Sequence, residues 1–355
     1  MGGCFSSDAP SADESKSLTT TAAAAAPKKL NKADFIHNGK HGETIVRWEG
    51  GTRIAGQQFV IEECKGCTFL LFDHLDSVNM DACKNCKLVV GPCSGAIFIR
   101  ECEDCEIVAA CQQFRTRDCH RCDLALFAQS RPIVESSKDM RFGCYDFSYA
   151  GLREHFAASN LTPWTNHWSL VHDFTPGAGH FSLVTEGRQA ELAASFRALA
   201  AGCEAELTFD GASVVPRTWG HRPRAADIEA VCFGVFDAAA WGDEPLSRCL
   251  AAVADASCSA PGDGEPKIRL GKTSLMAAGE IQALLAAGAL KGMAKAVTVE
   301  FFAPGFSVEP TLPAFVQGVV DGGDWPGGKS CCILNDPLLS ESMFENGQDL
   351  GGRLN

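Results

Sequence analysis

Residues 59–69, 78–88, 97–107 and 114–124 read FVIEECKGCTF, VNMDACKNCKL, IFIRECEDCEI and FRTRDCHRCDL. They align on four Cys-x-x-Cys pairs, Cys64/Cys67, Cys83/Cys86, Cys102/Cys105 and Cys119/Cys122, with steps of 19, 19 and 17 residues. Five places before each first cysteine stand Phe59, Val78, Ile97 and Phe114, and three places before stand Ile61, Met80, Ile99 and Thr116. Two places before, the column is Glu62, Asp81, Arg100 and Arg117, so apolar and polar positions alternate. Alternation with period two is the mark of a strand with one buried face, and its recurrence at coil length stacks such strands in register. The expected fold is a parallel β-solenoid, a short β-helix over roughly residues 50–145, followed by a smaller α/β domain.

Zinc is the rival explanation of the cysteines, because two Cys-x-x-Cys pairs at this separation also suit a metal site. Four evenly spaced pairs would demand two zinc ribbons, yet every intervening segment carries the same strand columns. Small thiols stacked inside a solenoid account for the pattern more simply, and no metal site is assigned.

Composition narrows the function. Lys and Arg total 31 against 44 Asp and Glu in 355 residues, a net charge of −13 that argues against general binding to nucleic-acid phosphates. With 46% hydrophobic and 21% charged residues the chain can bury a sizeable core, and its length suggests about two domains. No apolar run is long enough for a membrane-spanning helix, and the start lacks a secretory signal core. The 18 cysteines are therefore expected in a reducing compartment, free or metal-bound and not disulfide-paired. Met1-Gly2-Gly3-Cys4-Phe5-Ser6 fits N-myristoylation at Gly2 with palmitoylation at Cys4 beside it. One acyl chain binds a membrane only marginally, so the two together would supply the anchor. Residues 1–33 read as the acylated flexible tether.

One outward column departs from a solvated wall. Four places before each first cysteine it reads Val60, Asn79, Phe98 and Arg115, and an exposed aromatic beside Arg is the composition of a partner-binding patch. With Phe114 inward, period two brings Gln113, Arg115 and Arg117 to the outer face, three donors that could grip a phosphate or carboxylate. For Arg117 a plain ion pair with Asp118 or a neighbouring coil explains the residue equally well.

Gln112 to Arg117, the Cys-x-x-Cys coils, Ala55-Gly56-Gln57-Gln58-Phe59, Pro132-Ile133-Val134-Glu135-Ser136-Ser137, Phe142-Gly143-Cys144 and His172-Asp173-Phe174-Thr175-Pro176 resemble the cofactor C-like domain family. The resemblance covers residues 34–176 and includes the acylated start. It implies a GTPase-activating protein for an Arf-like small GTPase in its GTP form, of the Arf-like protein 3 type, with tubulin as the more distant partner. It makes Arg115 the arginine finger; Gln112 or Gln113 beside it would contact the nucleotide site or hold the finger, with Gln112 taken as the catalytic partner. Gln113, Arg117, Phe98 and Glu135 would then meet the partner. GTP and Mg²⁺ would belong to that partner, so no cofactor is expected in this chain. The resemblance further implies the cytoplasmic face of the plasma membrane, the cilium or flagellum and its basal body region, and trafficking of lipidated proteins. The rival is a non-catalytic scaffold that holds a GTPase or tubulin. The repeat step puts Glu135 nearer an inward column, so a partner contact there requires a one-residue slip.

Residues 146–176 are rich in aromatics, Tyr149, Phe156, Trp164, Trp168 and Phe174, and are expected to cap the solenoid. Asn166, His167 and His172 among them read as hydrogen-bonded structural residues. Residues 177–225 read as a linker. Residues 226–320 alternate strand-like and helix-like segments, with a helix expected over 274–290, which is an α/β layer of ferredoxin-like or nucleoside diphosphate kinase-like type. Kinase activity is not expected, since that chemistry needs a nucleophilic histidine and the last one, His221, precedes the domain. Residues 321–355 read as a flexible tail.

Overall fold

Two parallel sheets share the chain coil by coil. One contains β1 (Ile36–Asn38), β3 (Phe59–Glu62), β5 (Val78–Asp81), the second halves of β6 (Lys87–Arg100) and β7 (Glu106–Arg117), β9 (Ile133–Glu135) and β11 (His172–Asp173). The other contains β2 (Thr44–Trp48), β4 (Thr68–Phe72), the first halves of β6 and β7, β8 (Asp123–Ala128), β10 (Met140–Cys144) and β12 (Phe181–Leu183). This computed structural model describes residues 31–48, 50–202, 214–221, 229–258, 268–277, 293–304, 311–325 and 331–334. Gly2, Cys4 and nearly all of the 1–33 tether lie outside the described residues.

The repeat register is the one the columns require. Phe59 pairs with Val78, Val78 with Ile97 and Ile97 with Phe114, and all four are buried in one core. Each coil turns through left-handed backbone at two residues. Glu63, Ala82, Glu101, Asp118 and Ser136 precede the first cysteine position, and Gly66, Asn85, Asp104, Arg121 and Asp139 stand two residues after it. Such tight corners leave carbonyls aimed inward, where only a small side chain fits. The four leading thiols donate to the carbonyls of Glu62, Asp81, Arg100 and Arg117, two residues back, at 3.2–3.3 Å. In the last coil Ser137 occupies the leading position, and its hydroxyl makes the same bond, to Glu135 O at 2.9 Å. The position therefore calls for a small buried donor, and a thiol that donates carries its proton, unlike a metal ligand.

The solenoid starts earlier than the cysteines indicate. Its first coil, β1 and β2, turns at Gly39 and Gly42 instead of a Cys-x-x-Cys pair, with His41 bridging to Lys65. The second sheet is covered on both faces, so its strands read as continuous apolar runs such as Phe69-Leu70-Leu71-Phe72. Phe69 and Leu71 enter the solenoid interior, whereas Leu70 and Phe72 join an outer core with Val89, Val108, Phe127, Tyr145 and Phe147. Helix α1 (Leu152–Ala158) adds Leu152 and Phe156 to that outer core. Asn166 prolongs the ladder with its side-chain amide, accepting from Ala128 N and donating to Leu126 O, and His167 Nδ1 lies 2.8 Å from Gln129 O.

Of the expected linker, the described residues 177–202 and 214–221 pack against the rest of the fold. β12 extends the second sheet, and α2 (Glu186–Ala201) lays Leu192 and Phe196 into the outer core. Thr218 accepts from Trp168 Nε1 at 3.0 Å, while the backbone of Trp219 and Gly220 donates to Leu270 O and Gly271 O. The sequence hid α2 because alanines make up much of its apolar content, leaving no amphipathic stripe.

A second sheet system follows: β13 (Glu229–Asp237), α3 (Ala238–Trp241), α4 (Asp243–Cys258), β14 (Arg269–Ala277), β15 (Lys295–Pro304), α5 (Leu312–Gly322) and β16 (Cys331–Leu334). The strand order β14-β15-β13-β16, all antiparallel, is that of a ferredoxin-like βαββαβ unit. Two expectations fail here. Ser274–Ala277 belong to a strand paired with Lys295–Thr298, not to a helix starting at 274, and residues 278–290 lie outside the described residues. Cys331–Leu334 of the expected flexible tail form β16, because β13 is an inner strand whose second edge must be paired.

Candidate functional site

Two successive coils build a shallow pocket lined by Phe98, Arg100, Arg115 and Arg117. Parallel pairing sets Phe98 beside Arg115 and Arg100 beside Arg117, and Arg115 continues to Ile133 and Arg117 to Glu135. The inward residues of β7, Phe114 and Thr116, are buried, and the Thr116 hydroxyl donates to Ile133 O at 3.3 Å. This anchors the backbone, so Gln113, Arg115 and Arg117 project outward as period two predicts. Gln113 stands beside Ala96. Gln112 occupies the exposed bend between the two halves of β7, and its carbonyl accepts from Ser130 N and Ser130 Oγ at 2.9 and 2.8 Å.

The three guanidinium groups differ in how firmly they are held. Arg100 forms a fork on Asp81 at 2.5 and 2.7 Å, and that hydrogen bond raises its pKa further. Arg115 engages Glu135 through Nη2 alone, at 2.5 Å, and lies over the Phe174 ring with its carbon 5.7 Å from the centroid. Its side chain stays 43% exposed, so the rest of the fork faces solvent. Arg117 reaches Asp118 at 3.4 Å, the ion pair foreseen as its ordinary explanation. Chemically, the wall offers an anion three guanidinium groups on a rigid parallel sheet, of which Arg115 is held through one nitrogen and stays 43% exposed.

Glu135 corrects the sequence reading. Ser137 takes the place of a first cysteine eighteen residues after Cys119, one fewer than the common step, which turns Val134 inward and Glu135 outward into the Arg117 row. Two site residues were missed. Arg100 was assigned to the charged column as solvated wall, although its place beside Arg117 one coil away was the available signal. Phe174 was assigned to the cap but is 54% exposed. It reaches Arg115 because β11 docks on β9, a pairing that no local pattern announces.

Residues 56–174, most of the solenoid and its wall, match the family described as Tubulin binding cofactor C. The chain resembles Protein XRP2. It is 38% identical to Protein XRP2 of Danio rerio over 218 residues, 59% of this chain and 56% of that protein. It is 34% identical to the Homo sapiens Protein XRP2 over 208 residues, 56% of this chain and 57% of that one. Tubulin-folding cofactor C of Arabidopsis thaliana is 34% identical over 135 residues, 38% of this chain and 39% of that protein. The chain thus matches a little over half the length of Protein XRP2. Among solved structures, Tubulin Binding Cofactor C from Leishmania major aligns at 24% identity with a TM-score of 0.33, covering 36% of this chain and 90% of that one.

Proposed function

We propose that this protein accelerates GTP hydrolysis by an Arf-like small GTPase, of the Arf-like protein 3 type, by supplying Arg115 in trans. The observation that carries the reading is the state of Arg115: outward on a rigid sheet, half-exposed and held through one nitrogen. Hydrolysis spreads charge over the γ-phosphoryl oxygens, and a guanidinium brought close as that charge develops stabilises the transition state more than bound GTP. The rigidity of the coil stack limits the entropy lost when the finger docks. Gln112, at the bend beside the finger, would meet the nucleotide site, and Phe98, Gln113, Arg117 and Glu135 would meet the GTPase surface. In trading Glu135 for phosphate, Arg115 exchanges one anionic partner for another, so the finger leaves its rest position without an unpaired charge.

The proposal extends to the N-terminus and the cell. Acyl chains on Gly2 and Cys4 would hold the domain at the cytoplasmic face of a membrane, where lipidated GTPases and their cargo meet. Placement at the plasma membrane and the ciliary or flagellar base, in trafficking of lipidated proteins, belongs to the same reading. The test is single-turnover GTP hydrolysis by an Arf-like protein 3 loaded with GTP, with binding recorded in parallel. Arg115→Ala should lose an acceleration of about 10³- to 10⁵-fold while complex formation survives, and Arg115→Lys should not restore it. The names of the cofactor C relatives support a second reading, a scaffold that holds tubulin or a GTPase without catalysis. Binding with no acceleration by the wild-type chain would replace the first reading with the second.

A further inference from the structure

On the second sheet side, at the corner after β4, a buried carboxylate meets two imidazoles. Asp73 is fully buried, and its Oδ1 lies 3.2 Å from His74 Nδ1 and 3.6 Å from His155 Nε2. One ligand atom from each of the three residues lies within 4.8 Å of the other two. Ligands bound at about 2.0–2.1 Å to a tetrahedral zinc ion stand roughly 3.3–3.4 Å apart, close to both measured distances. The supports expected around a metal site are also present. Backbone N–H groups of Ile54 and Ala55 fix Asp73 Oδ2, both at 2.9 Å, while Oδ1, which also accepts from His74 N at 2.9 Å and Arg53 Nη2 at 3.3 Å, is the oxygen that faces both imidazoles. On the far side of its ring, His155 Nδ1 is 3.0 Å from the Tyr149 hydroxyl, which can hold Nδ1 protonated and leave Nε2 as the ligand. Tyr149 gets there because Gly91 has no side chain: a Cβ on Gly91 would lie 2.6 Å from that hydroxyl and 2.3 Å from Asp73 O.

We propose that Asp73, His74 and His155 form a site for a divalent transition metal, zinc by ligand type, that pins cap helix α1 to the solenoid. The donor set is two nitrogens and one oxygen, and because the His74 side chain is 26% exposed, water from that side would complete the four ligands. Asp73 accepts hydrogen bonds from Arg53 and from the backbone of Ile54, Ala55 and His74, an arrangement of donors that favours the carboxylate form a metal ligand needs. Arg53 now answers that charge through two long bonds of 3.3 and 3.4 Å, and its side chain is 42% exposed. A dication would take over the charge and let Arg53 swing outward. The site is separate from the cysteine corners and from the Arg115 wall, and it does not rest on the GTPase reading.

The test uses the full-length reduced chain, stripped with a chelator and titrated calorimetrically with Zn²⁺, with Co²⁺ as a spectroscopic probe. The expected result is one equivalent bound and a cobalt spectrum of tetrahedral type without thiolate charge transfer. Tyr149→Phe should weaken binding by about 10- to 100-fold, and His74→Gln and His155→Gln by more. His74 is partly exposed, so His74→Gln is the variant expected to keep its metal-free melting temperature and thus isolate binding from folding. No uptake by the wild-type chain, uptake unchanged in His74→Gln, or a cobalt spectrum dominated by thiolate bands would each overturn the assignment.

Discussion

Arg115 and Glu135 make a 2.5 Å contact on the outer wall, yet their pair contributes little to the fold. The two side chains are 43% and 30% exposed, and solvent-screened pairs of this kind are worth below about 1 kcal/mol. Glu135→Gln should therefore leave the melting temperature nearly unchanged while altering GTPase stimulation; a large loss of stability would mean the pair is structural. His37 is the opposite case. Its ring is buried against Phe59 and Phe69, with centroids 5.1 and 5.7 Å away, and burial first, then the charge of Arg47, lowers its pKa below 6.5. The folded imidazole stays neutral where the unfolded one already takes up a proton. Its contribution is therefore complete above pH about 6.5 and declines as the pH falls from there toward the folded pKa. Melting temperatures at pH about 7.5 and about 5.5 should differ more in the wild-type chain than in His37→Leu, whatever offset the substitution adds. Equal differences would remove His37 as a source of acid sensitivity. The inward alternation that makes His37 a core residue was readable in principle, but the first coil has no cysteines to mark its register.

At the scale of the element, each coil is a strand, a corner of two left-handed residues and a second strand, and the corner explains the cysteines. The Cys-x-x-Cys thiols of the four repeats are buried, and each is hydrogen-bonded to a backbone carbonyl. Burial also pushes Cys93 to about 12 and Cys111 well above its ordinary value. A disulfide reagent applied to the native chain should leave these solenoid thiols unmodified, while denaturant exposes all of them. Rapid modification of the repeat cysteines in native conditions would contradict their role as corner donors. The repeat columns announced these elements without help, because a buried face repeated at coil length has one physical solution. The length of the last coil was not announced. Ser137 replaces a cysteine, and only the paired strands reveal that the step there is eighteen.

The whole molecule is tied together at Trp164. It follows the cap helix in sequence, yet its ring is buried in the core of the ferredoxin-like unit with Trp241, Leu246 and Val299, and its Nε1 donates to Asp243 at 2.7 Å. Trp164→Ala should cost about 3–5 kcal/mol and split a single calorimetric transition into two as the units uncouple. One unchanged transition would show that the contact carries no coupling. The sequence by itself determined the solenoid, its inward and outward columns and the outward row of Gln113, Arg115 and Arg117, since these follow from local alternation and stacking period. Only tertiary structure decided the rest: Phe174 over Arg115, Glu135 on the outer face, α2 and β16 as packed elements, and Asp73 among His74, His155 and Tyr149. Each of those depends on residues far apart in the chain meeting through sheet pairing or packing, and a contact between distant segments leaves no period in the sequence that either one could display alone.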